Sequence, residues 1–252
     1  MRELLEAVAD GSLSPAAAEA ELKGYVTGEA GRFDAARDQR RGVPEAIFAE
    51  GKSVSQVVAL AETALETTGR ALLTRVSDQQ FAALEDYVDE TAPNATVHRH
   101  SDAVRVTAAD YEPPSLEATV GITTGGTVDE AVADEAEAVC LDAGATVDRF
   151  DDVGVAALSR MLDQLERFRG ADVLIVAAGR EGALPTVIAG LVDTPVIGVP
   201  VSSGYGYGGD GEAALAGMLQ SCTVLSVVNV DAGFVAGAQA TLIARAIAAA
   251  RE

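Results

Sequence analysis

From about residue 117 onward, short runs of continuous apolar residues alternate with stretches whose apolar positions recur every three or four residues. The runs are EATVGITT, TVDRFDD, DVLIVAAG, PVIGVPV and TVLSVVNV. Between them lie EAVADEAEAVCLDAG, GVAALSRMLDQLERFRG, GALPTVIAGLVD and GEAALAGMLQS, and GFVAGAQATLIARAIAAARE closes the chain. Strand–helix alternation of this kind predicts a parallel sheet covered on both faces, and the nearly unbroken Val and Ile content of the runs is what two-sided burial requires. Five such strands favour the flavodoxin-like order 2-1-3-4-5.

Upstream the pattern changes. SVSQVVALAETALETTG opens with a capping box, Ser53 to Gln56, and ends on Gly69. ALLTRV reads as a strand, a second S-x-x-Q start at Ser77 opens the helix QQFAALEDYVDE, and TVHRHSDAVRVT reads as one or two further strands. AADYEPPSLEA, with its Pro113–Pro114 pair, is the expected linker. The predicted organisation is a small α/β domain with leading helices over 1–112 and a flavodoxin-like α/β domain over 117–252.

Composition adds a surface and a compartment. With 252 residues and 48% hydrophobic content the chain can fill a substantial core, yet aromatics are only 4% and Trp is absent, so that core must rest on Val, Leu, Ile and Ala. The formal charge is -21, and only Lys23 and Lys52 are lysines. Such a surface repels nucleic acid and anionic membrane, and its acidity fits adaptation to concentrated salt. Two cysteines without metal-ligand spacing, an N-terminus unlike a secretory signal and an apolar C-terminal stretch interrupted by Asp231 and Arg245 point to a soluble, cytoplasmic protein.

Ligands of doubly wound sheets bind beyond the carboxyl ends of the strands, so the loops leaving each strand are where chemistry is sought. After the first strand comes TTGGTVDE, with Thr124, Gly125, Gly126, Thr127 and Asp129. After the third comes AGREG, with Arg180, Glu181 and Gly182. After the fourth comes VSSGYGYGGDG, with Ser202, Ser203, Gly204 and Tyr205, and after the fifth NVDAGF, with Asp231. Glycine-rich turns of this type present backbone N–H groups to phosphate oxygens, although glycine also ends strands for steric reasons alone. Together they read as a nucleotide or phosphosugar site.

Each candidate side chain also has a plainer reading. Glu181 and Asp129 are proton acceptors or helix-start residues; Asp231 holds a metal, a ribose or its own turn. His98 and His100 share one strand face but lack partners at metal-ligand spacing, so no metal site is assigned. RRGVPEAIFAEGK, with Arg41, Glu45 and Lys52, is a phosphate-contact cluster or an ion-pair network. Cys222 follows a helix C-terminus, where the macrodipole disfavours a thiolate, and is either a packed cysteine or a nucleophile whose missing positive charge the substrate supplies. Cys140, inside a helical pattern, is read as packing.

ADVLIVAAGREGALPTVIAGLVDTPVIGVPVSSGYG, GMLQSC and VNVDAGFVAG closely resemble the LarB family, the carboxylase/hydrolases that make pyridinium-3,5-biscarboxylic acid mononucleotide for the nickel-pincer cofactor. The C-terminal half is similar in turn to the aminoimidazole ribonucleotide carboxylases of purine synthesis. DVGVAALSRMLDQLER, TTGGTVDEAVADEA and RGVPEAIFAEGKSVSQ extend the resemblance over roughly residues 33 to 252. It implies carboxylation of nicotinic acid adenine dinucleotide at C5 of its pyridinium ring, with carbon dioxide or bicarbonate as co-substrate, and hydrolysis of the phosphoanhydride to release AMP. It implies Cys222 as the nucleophile and Glu181 as the proton acceptor, with Asp129 beside them. A homo-oligomer, octameric in the related carboxylases, follows from the same resemblance; no organic cofactor is expected, and Mg2+ would suit the phosphoanhydride step. The chain departs from the family pattern at Val128, at Ser159 and at Thr223–Val224–Leu225. The competing readings are a purine-type carboxylase, whose substrate needs no thiol, and a nucleotide-binding subunit without chemistry.

Overall fold

The computed structural model describes residues 2–28, 30–203 and 207–251. The chain separates into two compact units, Met1–Pro113 and Pro114–Glu252.

The first unit runs α1 (Arg2–Ala9), α2 (Pro15–Lys23), β1 (Val26–Gly28), β2 (Gly31–Phe33), α3 (Arg37–Arg41), β3 (Ala46–Phe48), α4 (Val54–Thr68), β4 (Arg70–Thr74), α5 (Asp78–Thr91), β5 (Thr96–His100) and β6 (Ala103–Thr107). Both S-x-x-Q starts form complete capping boxes, Ser53 with Gln56 and Ser77 with Gln80, and α4 ends on Gly69 at φ 70°. The four-stranded sheet has the order β3-β4-β6-β5. Val57, Ala61, Leu73, Leu84 and Val104 form the core where α4 and α5 cover it. TVHRHSDAVRVT folds into the antiparallel pair β5–β6, with His98 and His100 exposed.

The second unit runs β7 (Leu116–Thr124), α6 (Glu130–Asp142), β8 (Ala145–Phe150), α7 (Leu158–Leu162), α8 (Leu165–Gly170), β9 (Val173–Ala178), α9 (Ala183–Ala189), β10 (Val196–Pro200), α10 (Glu212–Leu219), β11 (Ser226–Val227) and α11 (Gly233–Arg251). Its sheet is wholly parallel, in the order β11-β10-β9-β7-β8, which is the expected flavodoxin-like order read from the far edge. The central strand shows why the apolar runs are continuous. Val173, Ile175 and Ala177 of β9 face α6 and α11, whereas Leu174, Val176 and Ala178 face the layer that holds Met161, Phe168, Leu184 and Met218. Successive side chains point to opposite faces, and both faces are core.

Two elements differ from the sequence reading. The single helix expected over GVAALSRMLDQLERFRG is a 3-10 turn (Val155–Ala157), then α7, then α8. Asp163 and Gln164 close α7 through N–H bonds to the Ser159 and Met161 carbonyls, and α8 then carries Phe168 edge-on against Phe150, centroids 4.8 Å apart. The fifth strand, expected over TVLSVVNV, pairs only through Ser226 and Val227. Among the described residues α11 alone is long and apolar enough to cross a membrane, yet Phe234, Ala236, Ala240 and Ala244 on one of its faces are buried in the core.

Candidate functional site

A cavity of about 300 Å³ opens at the carboxyl ends of the central strands of the second unit. Its walls are Gly125, Gly126, Val128 and Asp129 after β7, Gly154 to Ala156 after β8, Gly179 to Glu181 after β9, Leu184 beneath, and Ser203 after β10. The volume lies at the lower end of the range for small-molecule sites, enough for part of a dinucleotide.

Asp129 organises the floor. It is 4% exposed, and its Oδ2 accepts the Gly126 N–H at 3.0 Å. The amides of Gly125, shared with the Ala177 carbonyl, and of Gly179 are also turned toward the carboxylate, so the side chain knits the first loop to the third. The glycine amides expected to cradle phosphate are thus occupied by the chain's own carboxylate. Burial pushes the Asp129 carboxyl up from 3.8 to about 6, against the opposing pull of these amides. A carboxyl raised by folding contributes stability that is fully present below its unfolded value and lost as pH rises through its folded one. Unfolding free energy of the wild type relative to Asp129→Asn is therefore expected to fall between pH 4 and pH 7, by on the order of 3 kcal/mol, as read from urea titrations across pH. A difference flat with pH would show that Asp129 titrates normally.

The third loop carries Glu181 outward. Arg180 sits at φ 51° and Gly182 at φ 64°, left-handed positions on either side of Glu181 that fold the loop back, with Gly182 N–H reaching the Gly179 carbonyl at 3.0 Å. A side chain on Gly182 would meet the Ala214 carbonyl oxygen of α10 at 2.6 Å. Arg180 and Glu181 are exposed, and both border the cavity.

Of the rim residues singled out in the sequence, Gly125, Gly126, Asp129, Arg180, Glu181 and Ser203 meet at the cavity. Thr124 does not: it is fully buried, and its hydroxyl donates to Asp151 at 3.3 Å and accepts the Asp152 N–H at 3.1 Å. Strand β7 runs one step further than TTGG suggests and takes Thr124 inside. Thr127, Gly182 and Ser202 lie beside the cavity walls and do not line them. Gly204 and Tyr205 fall outside the described residues. Asp231 accepts the Ser202 N–H at 2.8 Å. The loop after β8 also lines the cavity, although it lacks the glycine-rich pattern of the other rim loops. Its signal was Gly154 in DDVGV, where a Cβ would lie 2.4 Å from the Gly125 carbonyl oxygen.

In the first unit Glu45 is paired with Arg37 at 2.5 Å, and the Lys52 ammonium is bound to the Phe48 carbonyl at 2.5 Å. Arg41 is exposed at the end of α3. Burial raises the Glu45 carboxyl above its ordinary value, with Arg37 opposing. The ion-pair reading therefore accounts for Glu45 and the Lys52 contact is local; Arg41, like its neighbour Arg40, is an exposed cation of that motif.

Cys222 is not at the cavity. It is exposed in a turn where Ser221 and Thr223 hydroxyls meet at 2.7 Å, and Thr223 lies beside Gly190 at the far end of α9. The parallel register sets Ser226 level with Ile197 and Ile175, four residues short of Gly179. At about 3.3 Å per residue the thiol segment starts roughly 13 Å below the cavity, on the amino edge of the sheet. Cys140 is fully buried, its thiol 3.7 Å from the Gly237 carbonyl and pushed up to about 12 by burial.

Among the described residues the carboxylates lining the cavity are Asp129 and Glu181; Asp129 is committed to backbone amides, so Glu181 is the one that would hold a Mg2+ ion beside substrate phosphates.

The second unit, a five-stranded parallel sheet with a carboxylate-bearing cavity at its carboxyl edge, has the architecture of an aminoimidazole ribonucleotide (AIR) carboxylase domain, and a separate small α/β unit precedes it in the chain. Residues 119–252 match the family model described as AIR carboxylase, and residues 25–108 match that of the LarB/PurE-like N-terminal domain. The chain belongs to the LarB-like family. An uncharacterized protein of Methanocaldococcus jannaschii is 35% identical over 257 residues, covering 97% of each chain.

Proposed function

We propose that this protein carboxylates nicotinic acid adenine dinucleotide at C5 of the pyridinium ring and hydrolyses the phosphoanhydride to release AMP. The observation that carries this reading is an exposed free thiol, Cys222, in a chain that joins a LarB-type N-terminal domain to a carboxylase domain. A purine-type carboxylation has no use for a thiol.

The chemistry explains why a thiol is needed. A pyridinium is electrophilic, and its C5 does not attack carbon dioxide. Thiolate addition at C4 moves an electron pair onto the ring nitrogen and leaves a dihydropyridine in which C5 is enamine-like. C5 then bonds to carbon dioxide. A base removes the C5 proton, the nitrogen lone pair returns to the ring, and the C4–S bond breaks to release the thiolate. Water adds to the phosphoanhydride in the separate hydrolytic step. Glu181, exposed at the cavity, is the proton acceptor in this scheme.

Since Cys222 sits at the opposite edge of the sheet from Glu181, the scheme requires the thiol of a second copy. Exposed apolar residues support that arrangement. Leu219 and Val224 flank Cys222, in the longest uncharged stretch of the chain, 213–230, while Val128, Leu158 and Leu162 are exposed around the carboxyl edge. Copies that each carry a charge of -21 repel unless they meet through uncharged faces. Two different patches meeting head to tail generate a ring when the rotation closes.

Incubation with nicotinic acid adenine dinucleotide and bicarbonate is expected to yield AMP and a nucleotide heavier by one carboxyl group, read by mass; a carboxylated aminoimidazole ribonucleotide as the sole product would replace this reading. Glu181→Gln should form the thiol adduct but make product on the order of 10² to 10⁴ times more slowly, since the amide keeps the shape and cannot take the proton. Adduct and product are measured separately, and an unchanged product rate would reduce Glu181 to a loop residue.

A further inference from the structure

The edge strand β11 contributes only two paired residues, so the sheet stops holding the chain beside β10 after the Val228 N–H reaches the Gly198 carbonyl at 3.2 Å. Asp231 then makes the connection by other means. Its N–H donates to the Pro200 carbonyl at 2.9 Å, and its Oδ1 accepts the Ser202 N–H at 2.8 Å. To do both it adopts φ 54°, a left-handed conformation that Asp enters more readily than most residues. One residue earlier, Val230 packs on Gly211, where an added Cβ would lie 2.5 Å from the valine Cγ1. Val230 and Asp231 therefore hold both feet of the loop that leaves β10. Ser203, adjacent to the clamped amide, lines the cavity and is exposed to it.

We infer that Asp231 is a positioning residue: through the Ser202 amide it fixes Ser203 at the cavity mouth, where the serine hydroxyl bonds an oxygen of the bound nucleotide. The inference rests on the functional reading above for the identity of that nucleotide. Its physical content is separate. A carboxylate bonded to a backbone N–H is a charge-assisted contact that tolerates little displacement, and it ties the Ser202 amide to a residue whose own N–H is anchored on the Pro200 carbonyl.

Three proteins decide the matter: wild type, Asp231→Ala and Asp231→Asn. The asparagine keeps an acceptor oxygen at the same place and is expected to recover most of what alanine loses. Calorimetry with nicotinic acid adenine dinucleotide should show Asp231→Ala binding on the order of tenfold more weakly, with KM raised and kcat changed less, because the serine contact is made equally in the ground and transition states. Adding Ser203→Ala to Asp231→Ala should cost little more, as two steps of one chain of contacts do not add. Hydrogen exchange at the Ser202 amide should accelerate in Asp231→Ala and not in Asp231→Asn. Unchanged exchange overturns the clamp. Unchanged affinity of Asp231→Ala alongside faster exchange overturns the positioning role alone, whereas a wild type that does not bind the dinucleotide overturns the functional reading and the positioning role with it.

Discussion

Cys222→Ala is expected to abolish carboxylation, lowering the rate by on the order of 10⁴ or more, while leaving the fold intact. The size of the effect follows from the step it removes. Without addition at C4 the ring keeps its positive charge, and C5 has no electron pair to offer carbon dioxide. Serine in its place is too weak a nucleophile near neutral pH to substitute. The fold should not notice, because Cys222 is exposed in a surface turn and buries little. Cys140→Ala is the matched control: it removes a buried sulfur from the interface of α6 and α11, at a stability cost of about 1 kcal/mol, and leaves catalysis alone. The position of Cys222 adds a second, sharper outcome. Neither Cys222→Ala nor Glu181→Gln should be active by itself, yet after subunit exchange a mixture should recover up to about a quarter of wild-type activity, from sites that join the intact thiol of one chain to the intact carboxylate of another. Full carboxylation by Cys222→Ala would end the thiol mechanism. No recovery after exchange proven by native mass spectrometry would instead place both groups in one chain's site and contradict the edge-to-edge separation.

The layered architecture of the second unit was legible because its signals are local. Val173 to Ala178 alternate between two cores, and only a strand buried on both faces leaves so unbroken an apolar run. The capping boxes at Ser53 and Ser77 are likewise written in four consecutive residues. Site membership is a different kind of property. Thr124 reads as a rim hydroxyl until the extent of β7 is known, and the structure spends that hydroxyl on Asp151 and Asp152. Asp129 reads as a free carboxylate until the amides around it are counted. Cys222 stands close to the rim loops in sequence, but strand register decides which edge of the sheet it occupies, and register is a long-range pairing that no local pattern encodes. The family resemblance implies which group would react; it carries no information about the edge of the sheet that group occupies.

Gly154→Ala should damage the site more than Gly125→Ala or Gly126→Ala. Gly154 has φ -54° and ψ 149°, values any residue adopts, so alanine brings no backbone penalty and the effect is purely steric. An added Cβ would fall 2.4 Å from the Gly125 carbonyl oxygen, and a main-chain oxygen cannot rotate aside. One loop must retreat, but both are pinned. Val153 N–H holds the Thr124 carbonyl at 3.0 Å, Gly125 N–H holds the Ala177 carbonyl at 3.0 Å, and Gly126 N–H holds Asp129 at 3.0 Å. Separation therefore breaks one of these bonds and widens the floor of the cavity between its first and second loops. Overpacking of this kind costs about 1 to 3 kcal/mol, or roughly 5 °C in Tm for a domain of this size, and affinity for nicotinic acid adenine dinucleotide should fall at least about tenfold as Asp129 loses its amides. Gly126→Ala is the control for stability, because its backbone is extended at φ -158° and an added Cβ meets nothing within 4 Å. Differential scanning calorimetry of the two variants makes the comparison: a large drop in Tm for Gly154→Ala beside little change for Gly126→Ala supports the close approach of the two loops, and equal melting of both would refute it.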